Sequence, residues 1–299
     1  MSESPAAPPP SKPLIDAVEG AEFLDGAAAP YGKKIRGIFK PGPVRDALAG
    51  TWLGHALHPL LTDVVITSLV GANLVDLVGG DDDGKAQRRL IGIGIAAYGP
   101  TAASGAMDWA DAEAVDSRIR RTGLVHATTN ATALSLYVAS LAARRRGAHG
   151  RGKTLAAAGA AVLGFGGFLG GHLSFARGSG VNQTVFDEAI DEDWTTVDGV
   201  SSTDLTDGEP KAAVVGDTPL FLLRHEGHLH AMHDRCSHRG CKLTELGEVD
   251  GEIVTCNCHG SQFHLHDGSV QRGPAAVFQP VYEVREQDGQ ISVRMPASD

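Results

Sequence analysis

Cysteine, aromatic residues and positive charge are all in short supply in this chain. Only four cysteines occur in 299 residues, at positions 236, 241, 256 and 258. That number serves one metal centre and at most one further pair. Lysine and arginine total 26 against 36 acidic residues, a net charge of −10. The deficit excludes the basic footprint of a nucleic-acid-binding protein. Aromatic residues make up 5%, while glycine reaches 38 residues. No positively charged segment followed by an apolar run opens the chain, so a secretory signal peptide is not expected. The length allows one to two domains. A mean hydropathy of −0.08 hides strong segmentation, because polar ends flank a very apolar middle.

Residues 1–45 read as a disordered or amphipathic N-terminal segment, since "SESPAAPPPSKP" and "DGAAAP" are rich in proline and alanine. Residues 46–180 hold four apolar spans, at 59–79, 90–107, 123–143 and 154–176. A bilayer takes about 20 apolar residues per helix. The second span, free of charge, and the fourth, which carries only His172, meet that requirement well. The first, with Asp63, Asn73 and Asp76, and the third, with His126, are weaker. The fourth is apolar on every face. Its Gly166/Gly170 and Gly167/Gly171 spacings suit close helix contact or room for a flat cofactor. A soluble bundle of Ala-rich helices is the alternative. The spans predict an integral protein of a bacterial plasma membrane, in contact with the lipid bilayer.

Four spans alternate in direction, which gathers His55, His58, Asp108, His126 and His172 at one membrane face, with Asn130 one turn beyond His126. Ionisable groups at bilayer depth are functional candidates. They offer ligands for a haem b or a wall for a quinone; the plainer reading is interfacial histidines bonded to carbonyls. The linkers after spans one and three hold eight positive residues, Lys85 to Lys153, against five at the other face. The positive-inside rule then places the C-terminal domain outside the cytoplasm. Counting Lys33, Lys34, Arg36 and Lys40 reverses the balance to nine against eight.

Residues 181–191 read as a linker, and from Trp194 the chain turns to short alternating runs, with Gly227 at a hairpin. His225, His228, His230 and His233 read as strand-surface residues. Two short stretches stand out, "CSHRGCKL" (236–243) and "CNCHGSQF" (256–263). Cys236 and His238 form C-x-H, and Cys256 and His259 form C-x-x-H. Zinc also takes two cysteines with two histidines, but zinc fingers place cysteine with cysteine and histidine with histidine. One sulfur and one nitrogen from each arm suits a [2Fe–2S] centre of Rieske type. Gly240 and Gly260 allow both loops to turn tightly.

The motif pair resembles the Rieske proteins, over roughly residues 192–296. The resemblance implies a [2Fe–2S] cluster held by Cys236, His238, Cys256 and His259. It also implies a disulfide between Cys241 and Cys258, as in the Rieske proteins of the cytochrome bc-type complexes; buried free thiols are the alternative. Ser261 falls where those proteins place a hydroxyl donor to a cluster sulfur, and Phe263 where they often place a tyrosine. One donor kept and one absent implies an intermediate potential. "WLGHALHPLLTD", "GLVHA" and "GGHLSF" resemble a family of uncharacterised bacterial four-helix membrane domains, over about 50–180. In some bacterial proteins that domain is fused to a Rieske module.

The expected architecture is α + β and multidomain: an N-terminal four-helix transmembrane bundle and a small antiparallel all-β Rieske domain over 192–299. The expected function is single-electron transfer between a membrane donor, quinol or haem, and a redox partner protein or the quinone pool. A redox-sensing or assembly subunit, with the membrane domain as scaffold, is the alternative. The chain is an electron carrier or an oxidoreductase subunit rather than a complete Rieske oxygenase. Too little chain follows His259 to hold a second iron on two histidines and a carboxylate.

Overall fold

The computed structural model describes residues 9–79, 84–187 and 190–296. The first eight residues of the proline-rich segment, the acidic linker tip at 80–83 and two residues of the 181–191 linker lie outside the described residues. The chain packs as two compact units. One combines Met1–Phe39 with His58–Ser179, and the other combines Lys40–Leu57 with Gly180–Asp299.

The first unit is helical. The segment expected to be disordered or amphipathic forms α1 (Lys12–Glu19) and α2 (Asp25–Ile38). A third short helix, α3 (Pro43–Ala49), lies in the other unit. Composition misled because α2 sets Ala28, Gly32 and Ile35 on one face, all buried. These small residues permit close approach to the long helices. A Cβ on Gly32 would lie 2.1 Å from the Glu113 carboxylate. Ion pairs complete the contact: Arg36 and Arg120 meet Glu113 at 2.6 and 2.7 Å, and Arg121 meets Asp25 at 2.6 Å.

Four long helices follow: α4 (Leu57–Val78), α5 (Lys85–Glu113), α6 (Ser117–Arg145) and α7 (His149–Gly171), the last continued by a π turn at His172–Ala176. Among the described residues, three helices are long and apolar enough to cross a membrane. They are Leu57–Val78, Lys85–Glu113 and His149–Ala176, with mean hydropathies of 1.6, 1.2 and 1.5. The first span, expected to be weak, has the highest value. Helix α6, which contains the expected third span, does not reach that apolarity, so the four-span count is not met by hydropathy.

Several polar groups of α6 nevertheless find partners within the helix or on its neighbours. Thr128, Thr132 and Ser135 donate to carbonyls four residues back, at 2.8–2.9 Å. The Tyr137 hydroxyl accepts from Asn73 of α4 at 2.7 Å, and Ser140 donates to Gly152 O of α7 at 2.6 Å. Asp76, which made the first span look poor, pairs with Arg144 at the end of α6; their side chains are 8% and 2% exposed. Removing one member of such a buried pair leaves an uncompensated charge, at a cost of about 3–5 kcal/mol. Asp76→Ala should therefore lower the unfolding midpoint of the detergent-solubilised protein sharply. Asp76→Leu with Arg144→Met should recover much of the loss; equal midpoints for single and double variants would refute the pairing.

The second unit is built on antiparallel strands. A six-stranded sheet has the order β1 (Thr195–Ser201), β10 (Gln290–Arg294), β9 (Val281–Gln287), β4 (His228–His233), β3 (Thr218–His225), β2 (Lys211–Val215). A four-stranded sheet runs β5 (Gly247–Asp250), β6 (Ile253–Cys256), β7 (Ser261–His264), β8 (Val270–Arg272), and a single helical turn, α8 (Leu243–Leu246), precedes it. The expected hairpin at Gly227 is present. Glu226 and Gly227 have φ of 51° and 80°, the pairing a tight two-residue hairpin needs. One core of this unit includes Leu220, Leu222 and Ile291, and the other packs Phe221, Met232 and Phe263 around Cys236 and Cys256.

Candidate metal centre

Two loops carry the cysteine–histidine motifs, and their backbones follow the same plan. Loop 1 leaves β4 and closes when Cys236 N–H donates to Cys241 O at 2.9 Å. Loop 2 joins β6 to β7, with Cys256 opposite Ser261 in register. In each, the glycine four residues after the cysteine donates to the cysteine carbonyl at 2.8 Å. Gly240 and Gly260 have φ of 74° and 85°, a conformation that strains any side-chain-bearing residue.

The consequence falls on the sulfurs. The backbone N–H groups two and three residues on turn toward each cysteine: His238 and Arg239 toward Cys236, Cys258 and His259 toward Cys256. The two thiols are buried, unbridged and hydrogen-bonded to one another. That mutual bond pulls Cys256 down to about 7 and, with burial, pushes Cys236 well up. Two thiolates at these positions could coordinate a cation. The His238 and His259 rings lie edge to face, with centroids 4.9 Å apart. Burial, then the charge of His259, holds His238 well below the usual imidazole range, so it presents a neutral ring. Two close sulfurs that accept backbone hydrogen bonds, beside two imidazoles, fit the donor set of a Rieske-type [2Fe–2S] cluster.

The remaining cysteines form a disulfide, Cys241–Cys258, with S–S 2.00 Å and Cα–Cα 6.6 Å. It ties loop 1 to loop 2. Both sulfurs lie within 4.8 Å of a ring nitrogen of His259. That trio is not itself a metal site, because the oxidised sulfurs have no thiolate to offer. Ser261 is buried, and its Oγ accepts from Ala275 N–H at 3.0 Å, which leaves its own proton to donate. Phe263 is fully buried opposite Val254 and brings no hydroxyl.

Several supports had no signal in the motif. Gln279 is buried; its Oε1 accepts from Ser237 N–H at 2.9 Å and its Nε2 donates to His233 O and Arg235 O. Asp234 accepts from both the N–H and the hydroxyl of Thr244. His233, expected on a strand surface, is 2% exposed and faces Asp187 at 3.1 Å. Arg45 of α3, 214 positions upstream, donates to His259 O at 2.9 Å.

The membrane residues do not assemble into the single site expected. His55 is exposed, bonds to Ala56 O and lies in the other unit. His172 is taken up by Glu19 at 2.8 Å, together with Arg177. Asp108 has a partner of its own. His58 bonds to Thr101 O at 3.0 Å with its ring against Gly105, and His126 bonds to Gly166 O at 2.8 Å with its ring against Gly170. Asn130 donates to His126 and sits against Gly166. Gly166 and Gly170 thus do serve close packing, whereas a Cβ on Gly167 would meet nothing. These rings clamp helices together, and nothing in their arrangement supports haem b or quinone.

The Cys241–Cys258 bridge constrains a loop that closes over 17 residues. Replacing both cysteines with serine should lower the stability of the C-terminal unit by about 2–4 kcal/mol, read as an earlier thermal midpoint. Thiol titration of the wild-type protein, unfolded with iron removed and without reductant, should count two free thiols; a count of four would exclude the bridge.

Comparison with known proteins agrees with this geometry. Residues 193–283 match the Rieske [2Fe-2S] domain, and residues 54–183 match the predicted membrane protein family DUF2231. The anthranilate 1,2-dioxygenase ferredoxin subunit of Burkholderia cepacia is 32% identical over 108 residues, covering 36% of this chain and 97% of that protein. The cytochrome b6-f complex iron-sulfur subunit 1 of Synechocystis sp. is 37% identical over 84 residues, 27% of this chain and 46% of that one. Among solved structures, the ferredoxin of carbazole 1,9a-dioxygenase from Nocardioides aromaticivorans aligns with a TM-score of 0.32 at 22% identity, over 34% of this chain and 98% of that one. With a Rieske relative matched over nearly its whole length, the chain belongs to the Rieske [2Fe-2S] family, its Rieske domain joined to a DUF2231 membrane domain.

Proposed function

We propose that this protein is a membrane-anchored one-electron carrier whose cluster is held by Cys236, His238, Cys256 and His259. The observation that carries the reading is the matched pair of loops, each turning two backbone N–H groups onto a buried cysteine sulfur. When bound, the cluster supplies reversible one-electron chemistry. The chain's own residues do the rest. The N–H donors, with Ser261, favour the more negative reduced state, and Phe263 adds no donor of its own. The disulfide and Gln279 hold the loops still, so little reorganisation accompanies the electron. His259 is half-buried and is the route by which a partner would reach the site. The donor is a membrane quinol or haem protein, and the acceptor a soluble or membrane redox partner.

Reduced wild-type protein should show a Rieske-type paramagnetic resonance signal and the two irons per chain of its domain class. His238→Cys or His259→Cys replaces a neutral donor with an anionic one and should lower the potential or empty the site. Zinc in place of iron, with no such signal, would sink the ligand assignment. Rapid cluster reduction by quinol in membranes supports the carrier; a loaded cluster that quinol does not reduce favours the sensing role.

We further propose that all four long helices cross the bilayer. Lys40–Leu57 lead into α4 and Gly180–Asp299 follow α7, yet they pack in one compact unit. Both stretches must then lie on one side, which requires an even number of crossings. The hydroxyls of Thr128, Thr132 and Ser135, bonded to their own helix, favour α6 as the fourth span. The disulfide and the arginine-rich linkers favour the extracytoplasmic side for the Rieske domain. Tags at the two ends of the chain should be accessible from the same membrane face; opposite faces would leave α6 outside the bilayer.

A further inference from the structure

Five of the chain's 13 histidines gather at the strand ends that point away from the two ligand loops. β4 starts at His228 and runs to loop 1, while β7 starts at loop 2 and ends at His264. In the β3–β4 hairpin His225 stands directly opposite His228, and His230 stands opposite Leu223. Opposite residues share a face of an antiparallel pair, as do residues two apart on one strand. His225, His228 and His230 therefore project from one face, in line with Phe221, Leu223 and Met232. Those three belong to the core that also holds Val254 and Phe263 of the second sheet. The row leaves this core at the hairpin: His225 and His230 are half-buried and His228 is exposed. The second sheet faces it with His266 and Glu252, whose charges, with those of His225 and His228, are felt at the His230 ring. His264 is already committed. Its Nε2 faces Glu252 at 3.2 Å, and its Nδ1 accepts from His266 N–H at 3.2 Å. The rings of His225, His228, His230 and His266 make no hydrogen bond or ion pair among the described residues.

Imidazole is the commonest protein ligand for zinc, copper and nickel. Two histidines at alternate positions of one strand, with a third across from them, have Cβ atoms about 4.5–8 Å apart. Rings of that reach can turn onto one ion, and zinc takes three histidines while keeping a fourth position for another donor. We propose that His225, His228 and His230 form a second metal site, for Zn2+ or a similar divalent transition ion, with His266 closing the fourth position from the second sheet. The ring nitrogens draw together as the ion enters. Among the described residues only Cys241, Cys258 and His259 already hold three donor atoms within 4.8 Å of one another. Glu252, held by His264, stays beside the site as a negative charge that favours a cation. Once bound, the ion ties the hairpin to the turn after β7. The site uses the strands that carry the ligand loops but lies at their opposite ends, so it does not depend on the [2Fe–2S] ligand assignment.

The test is calorimetric titration with Zn2+ of the full-length, cluster-loaded protein, purified without a histidine tag, with metal analysis after gel filtration. Wild type should take up one Zn2+ per chain beyond its iron, and the visible spectrum of the cluster should not change. His225→Gln and His228→Gln should each weaken binding by at least about tenfold, the scale seen when even a group bonded to a ligand is lost. The triple variant His225→Gln/His228→Gln/His230→Gln should abolish binding, and His266→Gln should weaken it less. His55→Gln, at an exposed histidine outside the cluster, should bind as wild type does. A wild-type protein that takes up no Zn2+, or a triple variant that binds it fully, overturns the inference. So does uptake matched by an equal loss of iron, since the ion would then be entering the cluster site. If the triple variant does not fold, the exposed His228→Gln decides, and unchanged affinity overturns the inference. Zinc binding that needs these histidines in a protein with no Rieske signal would uphold this site and refute the cluster assignment.

Discussion

Two cysteine sulfurs held in hydrogen-bonding contact within an apolar interior set the terms for the C-terminal unit. Buried, they cannot both carry charge without compensation. Compensation comes from the backbone: two N–H groups per sulfur, delivered by loops that repeat one plan. That plan needs a left-handed glycine four residues after each cysteine. The plan is shared, but the side chains it displays are not. Two residues past the cysteine stands His238 in loop 1 and Cys258 in loop 2; five past stands Cys241 in one and Ser261 in the other. From one backbone turn come an imidazole, half of a disulfide and a buried hydroxyl. The outer supports, Gln279 and Asp234 among them, bond loop 1 and its flanks to the strands and turns around it.

The helical unit answers a different constraint, that polar groups within a long bundle must find partners. Several of its hydroxyls, Thr128 among them, bond back to their own helix, and His58 and His126 bond to carbonyls of neighbouring helices across glycines too small to hold them off. The charged ends are closed by α1 and α2. Glu113 is almost fully buried yet meets two arginines, and Glu19 meets both His172 and Arg177. Histidines that looked like ligands in waiting are fastenings between helices.

Much of the centre was legible in the sequence, because its chemistry is local. Cys236 and His238, like Cys256 and His259, are brought together by one turn each, and the glycines that permit the turn are adjacent. The disulfide followed from resemblance and is present. Hairpins such as that at Gly227 were legible for the same reason. The N-terminal helices were not. Alanine, glycine and proline read as disorder until a partner surface makes their smallness useful, as it does for Ala28 and Gly32. Helix α6 was harder still, since hydropathy counts its hydroxyls and Asn130 as polar without knowing that they are already bonded.

By itself, then, the sequence determined the apolar spans, the strand-and-turn character of the C-terminal unit and the two metal-binding motifs. Each of these is written in residues near one another along the chain, where periodicity and turn chemistry operate. Only the tertiary structure decided which histidines are structural, where Asp76 and Arg144 meet, and that Arg45 reaches His259 from more than two hundred residues away. These are long-range pairings of common side chains. Nothing local distinguishes a buried arginine beside a ligand loop from one on a surface. Its place is decided only when packing removes it from water and sets it against the His259 carbonyl.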